Sequence, residues 1–514
     1  MKVLLINASV KRGLAYGLDD GMPAGLMDYL GGYQPLGVCY LAAVLAQHGY
    51  SEVAIIDAEA ENLPVEEVAG RVETTRPDLI GISCVSFSFL YALDLARLLK
   101  QITRAPIVVG GPHVDIYPLE VLTHTCFDAG IVGEGETSFL ELVRLFENAP
   151  ADPGPALLKV PGAVCRIDGR AAMNPERPTI ADLDALPYPA RHLLPPGRYL
   201  QNYLPNPFIS ILTSRGCSYK CSYCCRPDWT RRVRFHSPGR VVDEIERAMA
   251  EFGASSFQFF DDTFTLNRKR ALEICRLIGE RSLKIKFLAL SRVDRLDREL
   301  VAALAEAGCS CISFGVESGD ERILAAMNKG FSPPDVGAAF DLCREHGIDI
   351  VAYYLLGHPE ETHASVRSTI ESIRRTRPDW LKANIMMPYP ASTLYEELVA
   401  DGSLPDLWRR MTLTGEPFNP PHICRHLSRR ELERYRLRIN LAPYFRKRTN
   451  LLNVRRLARP RNVLWSLQWL GQLLGAYAVS EGIAGLRELR ALADRRRSAR
   501  APTATDDVRP GDRR

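Results

Sequence analysis

The sequence has little of what would mark a secreted or membrane-spanning protein. Its 13 cysteines are an odd number spread through 514 residues, which argues against a disulfide framework. The first residues, MKVLLINASV, predict a buried strand. They are not a secretory signal, because they lack an apolar run followed by a small-residue cleavage site. The apolar stretch 462–479 contains Ser, Gln and Gly, and it is shorter than the roughly twenty apolar residues of a spanning helix. We therefore expect a cytoplasmic protein.

The chain also lacks a strong excess of charge of either sign. Its net charge is +4, so a uniformly basic protein that binds nucleic acid is not indicated. The charge is uneven, however, since residues 445–514 carry sixteen Lys and Arg against six Asp and Glu. This basic segment is either a solvated face or, with Trp465 and Trp469 within it, a peripheral contact with an anionic membrane. Residues 501–514 are expected to be disordered.

Apolar strands and helices alternate through residues 1–148. The segments KVLLINA, EVAIIDA, LIGISCVSF and PIVVGGPH are apolar runs, and PLGVCYLAAVLAQHG has the apolar spacing of a helix. Strands that are apolar on both faces and alternate with helices predict a parallel, doubly wound, Rossmann-like sheet. In such a sheet, ligands bind at the carboxyl ends of the strands.

The rest of the chain predicts a linker, a second sheet and a helical end. Residues 149–207 predict a linker with a hairpin, because VCRIDGRAAMNP places Asp168-Gly169 between two short runs. Residues 208–392 alternate again in about six strand–helix units, which predicts a partial (β/α)6 barrel similar to a TIM barrel. Polar residues follow each of its strands, at the face where barrel active sites lie. Residues 393–500 predict a mainly helical region, so the whole is an α/β protein with a helical C-terminal part.

Four cysteines stand apart from the others. Cys217, Cys221, Cys224 and Cys225 fall within nine positions of RGCSYKCSYCCRP, directly after the first barrel strand. The first three have C-x3-C-x2-C spacing, so one loop can bring three thiolates to one metal cluster. Zinc normally takes two separated pairs of ligands, and no second C-x2-C pair follows. An iron–sulfur cluster normally takes four thiolates, so three leave one iron open to a substrate or cofactor.

Two other interpretations of this cysteine loop stay open. The cysteines could be core residues, since free cysteine is often buried, or three of them could hold zinc with a distant fourth ligand. Cys225 follows Cys224 directly and therefore points elsewhere, so we leave it out of the cluster. The cysteines predicted to be core residues are Cys39, Cys84, Cys309 and Cys311.

The cysteine loop resembles the C-x3-C-x-aromatic-C signature of the radical S-adenosylmethionine (radical SAM) enzymes, with Tyr223 at the aromatic position. FFDDTF, LSRVD, GVESG and LLGHPEE are similar to later strand ends of that family. The resemblance implies a [4Fe-4S] cluster on Cys217, Cys221 and Cys224, with S-adenosylmethionine bound at the open iron. The chain departs from the family where Asp261-Asp262 replaces Gly-Gly-Glu. The implied S-adenosylmethionine-binding residues are Tyr223, Asp261, Asp262, Arg292, Asp294, Glu317, Ser318, Gly357 and Glu360.

Residues 1–148 resemble the cobalamin-binding (B12-binding) domain that is fused to a large branch of the same family. PLGVCYLAAVL, LIGISCVSFSF, VVGGPHV and IVGEGE carry this resemblance. It implies cobalamin held by backbone at glycines and by serine hydroxyls. The Asp-x-His-x-x-Gly motif that supplies a cobalt ligand in other cobalamin domains is missing, so no histidine ligand to cobalt is expected. The implied cobalamin-binding residues are Ser83, Ser86, Gly110, Gly111, His113, Gly133 and Gly135.

The function that the resemblance implies is a cobalamin-dependent radical SAM C-methyltransferase. Such an enzyme passes a methyl group from S-adenosylmethionine through methylcobalamin to an unactivated carbon, here of a specialised metabolite or a lipid. The alternative is an enzyme of the same architecture that cyclises or rearranges its substrate, as anaerobic tetrapyrrole cyclases do. A non-catalytic sensor would not need the cysteine loop. The implied partners are a small-molecule substrate and an external electron donor of the flavodoxin or ferredoxin type.

Several residues carry two interpretations each. His113 either faces cobalamin or caps a turn by hydrogen bonding. His358 is either a polar lining residue of the barrel or an acid or base, and Tyr389 either touches the substrate or packs. Tyr353 and Tyr354 alternate faces, so at most one of them lines the barrel interior.

Overall fold

Five apolar segments near the N-terminus form parallel strands of one sheet. The computed structural model describes residues 1–14, 32–148, 154–176, 179–199 and 204–441. The strands are β1 (Val3–Asn7), β2 (Val53–Asp57), β3 (Leu79–Ser83), β4 (Ile107–Gly110) and β5 (Ala129–Ile131). They pair in the order β2-β1-β3-β4-β5. Because the order reverses at β1, the sheet is doubly wound, as predicted.

Helices cover both faces of this sheet, as strands that are apolar on both sides require. The helices are α1 (Val10–Leu14), α2 (Leu36–Gln47), α3 (Ala58–Glu61), α4 (Val65–Thr75), α5 (Phe89–Ile102), α6 (Pro112–Ile116), α7 (Pro118–Val121) and α8 (Gly135–Asn148). Tyr40 of α2 and Phe139 of α8 belong to the core on one face. Phe89 and Leu93 of α5 belong to the core on the other face.

The predicted hairpin is present, and it extends the first sheet. It consists of β6 (Ala163–Ile167) and β7 (Arg170–Met173), joined at Asp168-Gly169, both of which have positive φ. Two successive residues with positive φ make the hairpin turn whose twist matches that of the strands. Because β6 pairs antiparallel with β5, the sheet has seven strands. We call the described residues up to 176 the N-terminal lobe.

The second sheet begins at residue 208 and consists of parallel strands. Two short strands, β9 (Ser214–Arg215) and β10 (Arg234–Phe235), lie outside it and flank the cysteine loop. The main strands are β8 (Phe208–Ile211), β11 (Ser256–Phe259), β12 (Lys286–Ser291), β13 (Cys309–Glu317), β14 (Asp349–Leu356) and β15 (Trp380–Ile385). Within the described chain, β8 and β15 are the two edges of this sheet, which confirms the prediction of a partial barrel.

Helices pack outside the second sheet. They are α9 (Pro238–Phe252), α10 (Arg268–Glu280), α11 (Arg298–Glu306), α12 (Glu321–Ala326), α13 (Pro333–Glu345) and α14 (His363–Thr376). Helix α9 has its N-cap at Ser237, whose side chain accepts from the amide of Arg240, and Pro238 occupies the first helical position. The alternating faces of the strands send Tyr354 into the core under these helices and leave Tyr353 beside the barrel interior.

Three C-terminal helices follow, and one of them binds the N-terminal lobe. They are α15 (Thr393–Ala400), α16 (Leu407–Thr414) and α17 (Arg429–Leu441). Trp408 of α16 is fully buried against Phe87 of the N-terminal lobe, with ring centroids 5.6 Å apart. No helix of the described residues is long and apolar enough to cross a membrane. The predicted basic segment, its membrane contact and the disordered tail lie outside the described residues.

Candidate active site

The cysteine loop begins at a close approach between backbone segments. Gly216, directly after β9, has a φ of +98°. A Cβ atom there would lie 2.5 Å from the carbonyl oxygen of Arg232, so only glycine fits. The amide of Cys217 donates to the carbonyl oxygen of Thr230 at 3.2 Å. The start of the loop is therefore held to the segment that leads into β10.

The loop cysteines differ from all the others in exposure. Cys217, Cys221, Cys224 and Cys225 are partly exposed, whereas the remaining nine cysteines are buried. The buried set includes all four cysteines that were predicted to be core residues, which confirms that prediction. The interpretation of the loop cysteines as core residues is therefore wrong.

The three spaced cysteines lie near one another on the loop. Cys217 and Cys224 lie close enough to Cys221 and to each other for their charges to interact. In the described part of the chain, no three His, Cys, Asp or Glu side chains form a group that could hold one metal ion. A cubane cluster does not need such convergence, because each thiolate binds a different iron. Burial raises the pKa of the Cys217 and Cys224 thiols, because a buried thiolate without a cation is unfavourable. A bound metal compensates the negative charge of the thiolate and so removes this penalty.

Cys225 has different surroundings, as its exclusion from the cluster predicts. Its charge interacts with Cys224 and with Asp115 of the N-terminal lobe. Burial raises the pKa of the Cys225 thiol to about 12. Without metal, the thiol is thus held in its neutral form.

The two aspartates after β11 play different parts. Asp261 is fully buried and accepts hydrogen bonds from the amide and hydroxyl of Thr213, at 2.7 and 2.5 Å, and from the hydroxyl of Ser214 at 2.6 Å. It ties β11 to the residues just before the cysteine loop, and its role as a ligand of S-adenosylmethionine stays a prediction. Asp262 is partly exposed and forms an ion pair with Arg226, whose guanidinium also hydrogen-bonds Cys224. Of the two carboxylates, Asp262 is the one beside the cysteine loop.

Tyr223 is joined to the barrel by buried polar contacts. Its hydroxyl donates to Oε1 of Glu317 at 2.8 Å, and Nζ of Lys329 lies 3.2 Å from the same hydroxyl. Burial, followed by the charge of Glu317, raises the pKa of Tyr223 well above its usual range, so the phenol stays protonated. Glu317 has a φ of +68°, an unusual conformation of the kind that clusters at functional sites. Sequence reasoning missed Lys329, which comes from the segment after α12 and carries no motif.

Arg292 and Asp294 pair with each other at the end of β12. Nε of Arg292 donates to Asp294 at 2.9 Å. The guanidinium also lies 3.7 Å from the ring centroid of Tyr219, in the cysteine loop, and donates to the carbonyl oxygen of Lys329. Arg292 is nearly buried by these contacts. It supports the cysteine loop through a cation–π contact, and its role in binding S-adenosylmethionine stays a prediction.

The turn after β14 contains two neighbouring glutamates with different surroundings. Gly357 has a φ of +93°, and its amide donates to Oε2 of Glu361. Glu361 is fully buried, whereas the predicted Glu360 is half exposed and pairs with Arg425 at 2.5 Å. Glu361, one residue further along, is therefore the glutamate that stabilises the turn. His358 is buried and accepts from the amide of Glu360, which favours the lining interpretation over that of an acid or base.

Two other predicted ligands are fully buried in contacts with the protein itself. The hydroxyl of Ser318 hydrogen-bonds that of Thr369 at 3.2 Å. The ring nitrogens of His113 lie 3.1 Å from the hydroxyls of Ser86 and Thr412. His113 thus joins α16 to the N-terminal lobe, and the roles of Ser318, His113 and Ser86 in ligand binding stay predictions.

A cavity of about 250 Å³ lies at the carboxyl ends of β3, β4 and β5, beneath α2. A Cβ atom at Gly37 of α2 would meet nothing within 4 Å, so this side of the helix is open. Gly111 has a φ of +96°, and a Cβ there would lie 2.7 Å from the carbonyl oxygen of Cys84. The predicted residues that line the cavity are Ser83, Gly110, Gly111, Gly133 and Gly135. The lining residues that were not predicted include Tyr40, Glu134, Glu136, Phe139 and Arg215, although the quoted segments PLGVCYLAAVL and IVGEGE contain three of them.

The cavity suits the nucleotide tail of cobalamin. It is narrow, mostly apolar and closed on one side by glycine backbone, with carboxylates and a guanidinium at its rim. Ligand pockets of this kind bury a flat apolar group and orient it with a few polar contacts. Two sheets, one with this cavity and the other with the cysteine loop at the end of its first strand, define a class of protein: a B12-binding domain fused to a radical SAM domain.

Comparison with known families and proteins agrees with this class. Residues 211–373 match the Radical SAM superfamily, and residues 26–143 match the B12 binding domain. An uncharacterized methyltransferase of Pyrococcus horikoshii is 31% identical over 424 residues, which are 82% of this chain and 90% of that protein. The anaerobic magnesium-protoporphyrin IX monomethyl ester cyclase of Rubrivivax gelatinosus is 29% identical over 73% of this chain and 68% of its own.

Two solved structures share the fold over most of the chain. The radical S-adenosylmethionine methyltransferase TsrM from Kitasatospora setae, with cobalamin and a [4Fe-4S] cluster bound, has a TM-score of 0.62, 21% identity, and coverage of 78% of this chain and 75% of that one. The cobalamin-dependent radical enzyme OxsB has a TM-score of 0.59 and 21% identity, with coverage of 81% and 57%. The chain belongs to the family of cobalamin-binding radical SAM enzymes. It is therefore an enzyme, and the predicted cofactors, a [4Fe-4S] cluster, S-adenosylmethionine and cobalamin, are those of the family.

Proposed function

We propose that the protein is a C-methyltransferase that moves a methyl group from S-adenosylmethionine, through cobalamin, to an unactivated carbon of a specialised metabolite or a lipid. The observation that carries this proposal is that the cavity is lined by a residue of β9, the strand that leads into the cysteine loop. Arg215 lines the cavity and lies two positions before Cys217. An enzyme that uses two cofactors on one substrate needs their sites to be neighbours. The methyltransferase description of the relative from Pyrococcus horikoshii supports the reaction type.

The cysteine loop and its surroundings would hold the cluster and S-adenosylmethionine. Cys217, Cys221 and Cys224 supply soft thiolates, which suit iron–sulfur clusters. Asp262 would accept hydrogen bonds from the amino group of S-adenosylmethionine. Without that ligand, Asp262 pairs with Arg226, so binding would exchange one cationic partner of a carboxylate for another. Such an exchange avoids leaving a partly buried carboxylate unpaired.

The N-terminal lobe would hold cobalamin by its tail. The backbone at Gly110, Gly111, Gly133 and Gly135 lines the cavity and permits close approach of a ligand. The side chain of Ser83 also lines the cavity. Both ring nitrogens of His113 are within hydrogen-bond distance of hydroxyls, those of Ser86 and Thr412.

The cofactors carry the difficult chemistry, and the chain binds, orients and excludes water. When bound, they supply a radical able to remove hydrogen from an unactivated carbon and a methyl group to replace it. Part of the interior face of the second sheet is apolar, with Leu288, Cys311 and Val351 in one buried cluster and Tyr353 packed against it. On the same face, the register places the buried polar residues Ser210 and Gln258 beside Leu288. This lining supports a substrate with an apolar body, and it keeps water away from reactive intermediates.

A second candidate is an enzyme that cyclises or rearranges its substrate without methylation. The observation that favours it is the 29% identity to the anaerobic cyclase of Rubrivivax gelatinosus over 73% of this chain. Both candidates use the same two sites, so the fold does not separate them.

Isotope labelling separates the two candidates. Full-length protein is reconstituted anaerobically and incubated with methyl-labelled S-adenosylmethionine, a flavodoxin or ferredoxin as electron donor, and a small-molecule extract from cells that lack the gene. Methylation gives a labelled product together with S-adenosylhomocysteine. Formation of 5′-deoxyadenosine and an altered but unlabelled product would favour cyclisation and overturn the methyltransferase proposal. The Cys221→Ala protein is the matched control, since it should give neither outcome.

A further inference from the structure

Arg215 of β9 is held by two carboxylates of the N-terminal lobe. Its guanidinium donates to Glu134 at 3.1 Å and to Glu136 at 2.6 Å. Glu134 directly precedes α8 and Glu136 lies in its first turn. The side chains of Arg215, Glu134 and Glu136 are only 14%, 7% and 6% exposed. These ion pairs therefore join the two sheets through buried contacts.

The same three side chains also line the cavity. Arg215, Glu134, Glu136 and Tyr40 all belong to its wall, and the Arg215 guanidinium lies 5.1 Å from the centre of the Tyr40 ring. A molecule that fills the cavity would therefore touch the carboxylates and the guanidinium as well as the apolar wall. The binding of such a molecule and the geometry of the Arg215 ion pairs therefore depend on each other.

On its other side, Arg215 leads directly into the cysteine loop. The residue after it is Gly216, whose backbone is fixed by close contact with Arg232, and the next is Cys217. The partner strand β10 is held in the same way, since Arg234 donates to both oxygens of Glu134, at 2.6 and 2.8 Å. Glu134 thus holds both strands that flank the cysteine loop.

The two partners of a buried ion pair move together, because separating them leaves a buried charge unpaired. A buried charge that loses its partner costs several kcal/mol, so Arg215 must follow the glutamates of the N-terminal lobe. Arginine is suited to this because its rigid fork engages two carboxylates at once, which lysine cannot do. Only Gly216 lies between Arg215 and Cys217, the first predicted cluster ligand.

We propose that Arg215 is a positioning residue that couples the cavity to the cysteine loop, so that cobalamin in the cavity and the cluster on the loop strengthen each other's binding. The inference rests on the proposed function, because it takes both cofactors from it. Thermodynamic linkage makes the effect reciprocal: the factor by which the cluster tightens cobalamin binding equals the factor by which cobalamin tightens the cluster.

The test compares cobalamin affinity in two forms of the full-length protein. Hydroxocobalamin is titrated by absorbance into protein with a reconstituted cluster and into protein stripped of its cluster by a chelator, both without oxygen. The ratio of the two dissociation constants is the coupling factor, and we expect it to be about fivefold or more in the wild type. In Arg215→Lys and Glu136→Gln the ratio should fall towards one. A role in cobalamin binding alone would weaken both forms equally and leave the ratio unchanged.

The matched control is Arg409→Gln. Arg409 of α16 pairs with Glu120 of the N-terminal lobe at 2.8 Å, so it joins the same parts of the protein without lining the cavity. This variant should keep the wild-type ratio. Circular dichroism shows which variants fold, and Glu136→Gln carries the test if Arg215→Lys does not.

Three results would overturn the coupling: a wild-type ratio of one, an unchanged ratio in both variants, or an equal loss of the ratio in Arg409→Gln. With tight cobalamin binding, each of them leaves the methyltransferase proposal standing. Failure of the wild type to bind cobalamin in either form would overturn both proposals together.

Discussion

Replacing Glu361 by glutamine should change how the stability of the protein depends on pH. Glu361 is fully buried, its Oε2 accepts from the amide of Gly357, and its Oε1 has no hydrogen-bond partner among the described residues. Burial, with the nearby charge of Asp320 as a smaller contribution, raises the pKa of this carboxyl from 4.5 to about 7. The carboxyl is therefore protonated in the folded protein at a pH where the unfolded chain has already lost that proton.

The sign and size follow from proton linkage. Between pH 4.5 and 7 the folded state binds more protons at this site than the unfolded state, so its contribution to stability is lost as the pH rises. At about 1.4 kcal/mol per pKa unit, the wild type should lose about 2.5 kcal/mol relative to Glu361→Gln between pH 5 and pH 8. Glutamine keeps an oxygen for the amide of Gly357 but has no proton to lose. An offset that does not vary with pH reflects packing of the amide and does not bear on the prediction.

The assay is urea denaturation of cofactor-free protein under reducing conditions, at steps between pH 5 and pH 8. The quantity of interest is the difference in unfolding free energy between wild type and variant. Glu360→Gln is the matched control, because Glu360 is half exposed and pairs only with Arg425, so its difference should stay within about 0.5 kcal/mol at every pH. The reasoning would be refuted if the difference in unfolding free energy between wild type and Glu361→Gln were the same at pH 5 and at pH 8, whatever its size.

Three further predictions concern the two cofactor sites. Alanine at any of the three C-x3-C-x2-C cysteines should abolish the visible absorption and iron content of the reconstituted protein, whereas Cys225→Ala should retain both; equal losses would contradict the three-ligand assignment. Asp262→Asn should weaken S-adenosylmethionine binding about tenfold with little change in stability. Asp261→Asn should instead lower the free energy of unfolding, measured by urea denaturation, by about 1–3 kcal/mol, because it disturbs three buried hydrogen bonds. His113→Phe should lower stability by a similar amount, since two buried hydroxyls lose a partner, and should leave cobalamin affinity unchanged in absorbance titrations; a stable variant with lost affinity would speak for a ligand role.

The alternation of strands and helices in both sheets and the position of the cysteine loop were predictable because they depend on local patterns. Runs of apolar residues form strands and the spacing of apolar residues forms helices, whatever lies elsewhere in the chain. The spacing of Cys217, Cys221 and Cys224 likewise brings three thiols onto one loop. The hairpin at Asp168-Gly169 could be recognised from two residues, although its pairing with β5 could not.

Neighbouring polar residues were the least predictable part of the site. Asp261 and Asp262 differ in burial because Thr213 and Ser214 reach the first from another strand. Glu360 and Glu361 differ in burial because the turn places the second one under Gly357, which no local signal indicates. His113 stands in a glycine-rich motif, but its Nε2 hydrogen-bonds the hydroxyl of Thr412, which lies on a helix about three hundred residues further along the chain.

The amino-acid sequence by itself determined the class of this protein, two sheets of alternating strands and helices with a three-cysteine loop at the end of one strand, since hydrophobic period and ligand spacing act over a few residues. Only the tertiary structure decided which side chains the cofactors can reach. Burial and hydrogen bonding depend on segments that meet only when the chain is folded, as Arg215 meets Glu134 and Glu136 across the two sheets. The physical reason is that buried polar groups must be hydrogen-bonded, and their partners often come from distant segments of the chain.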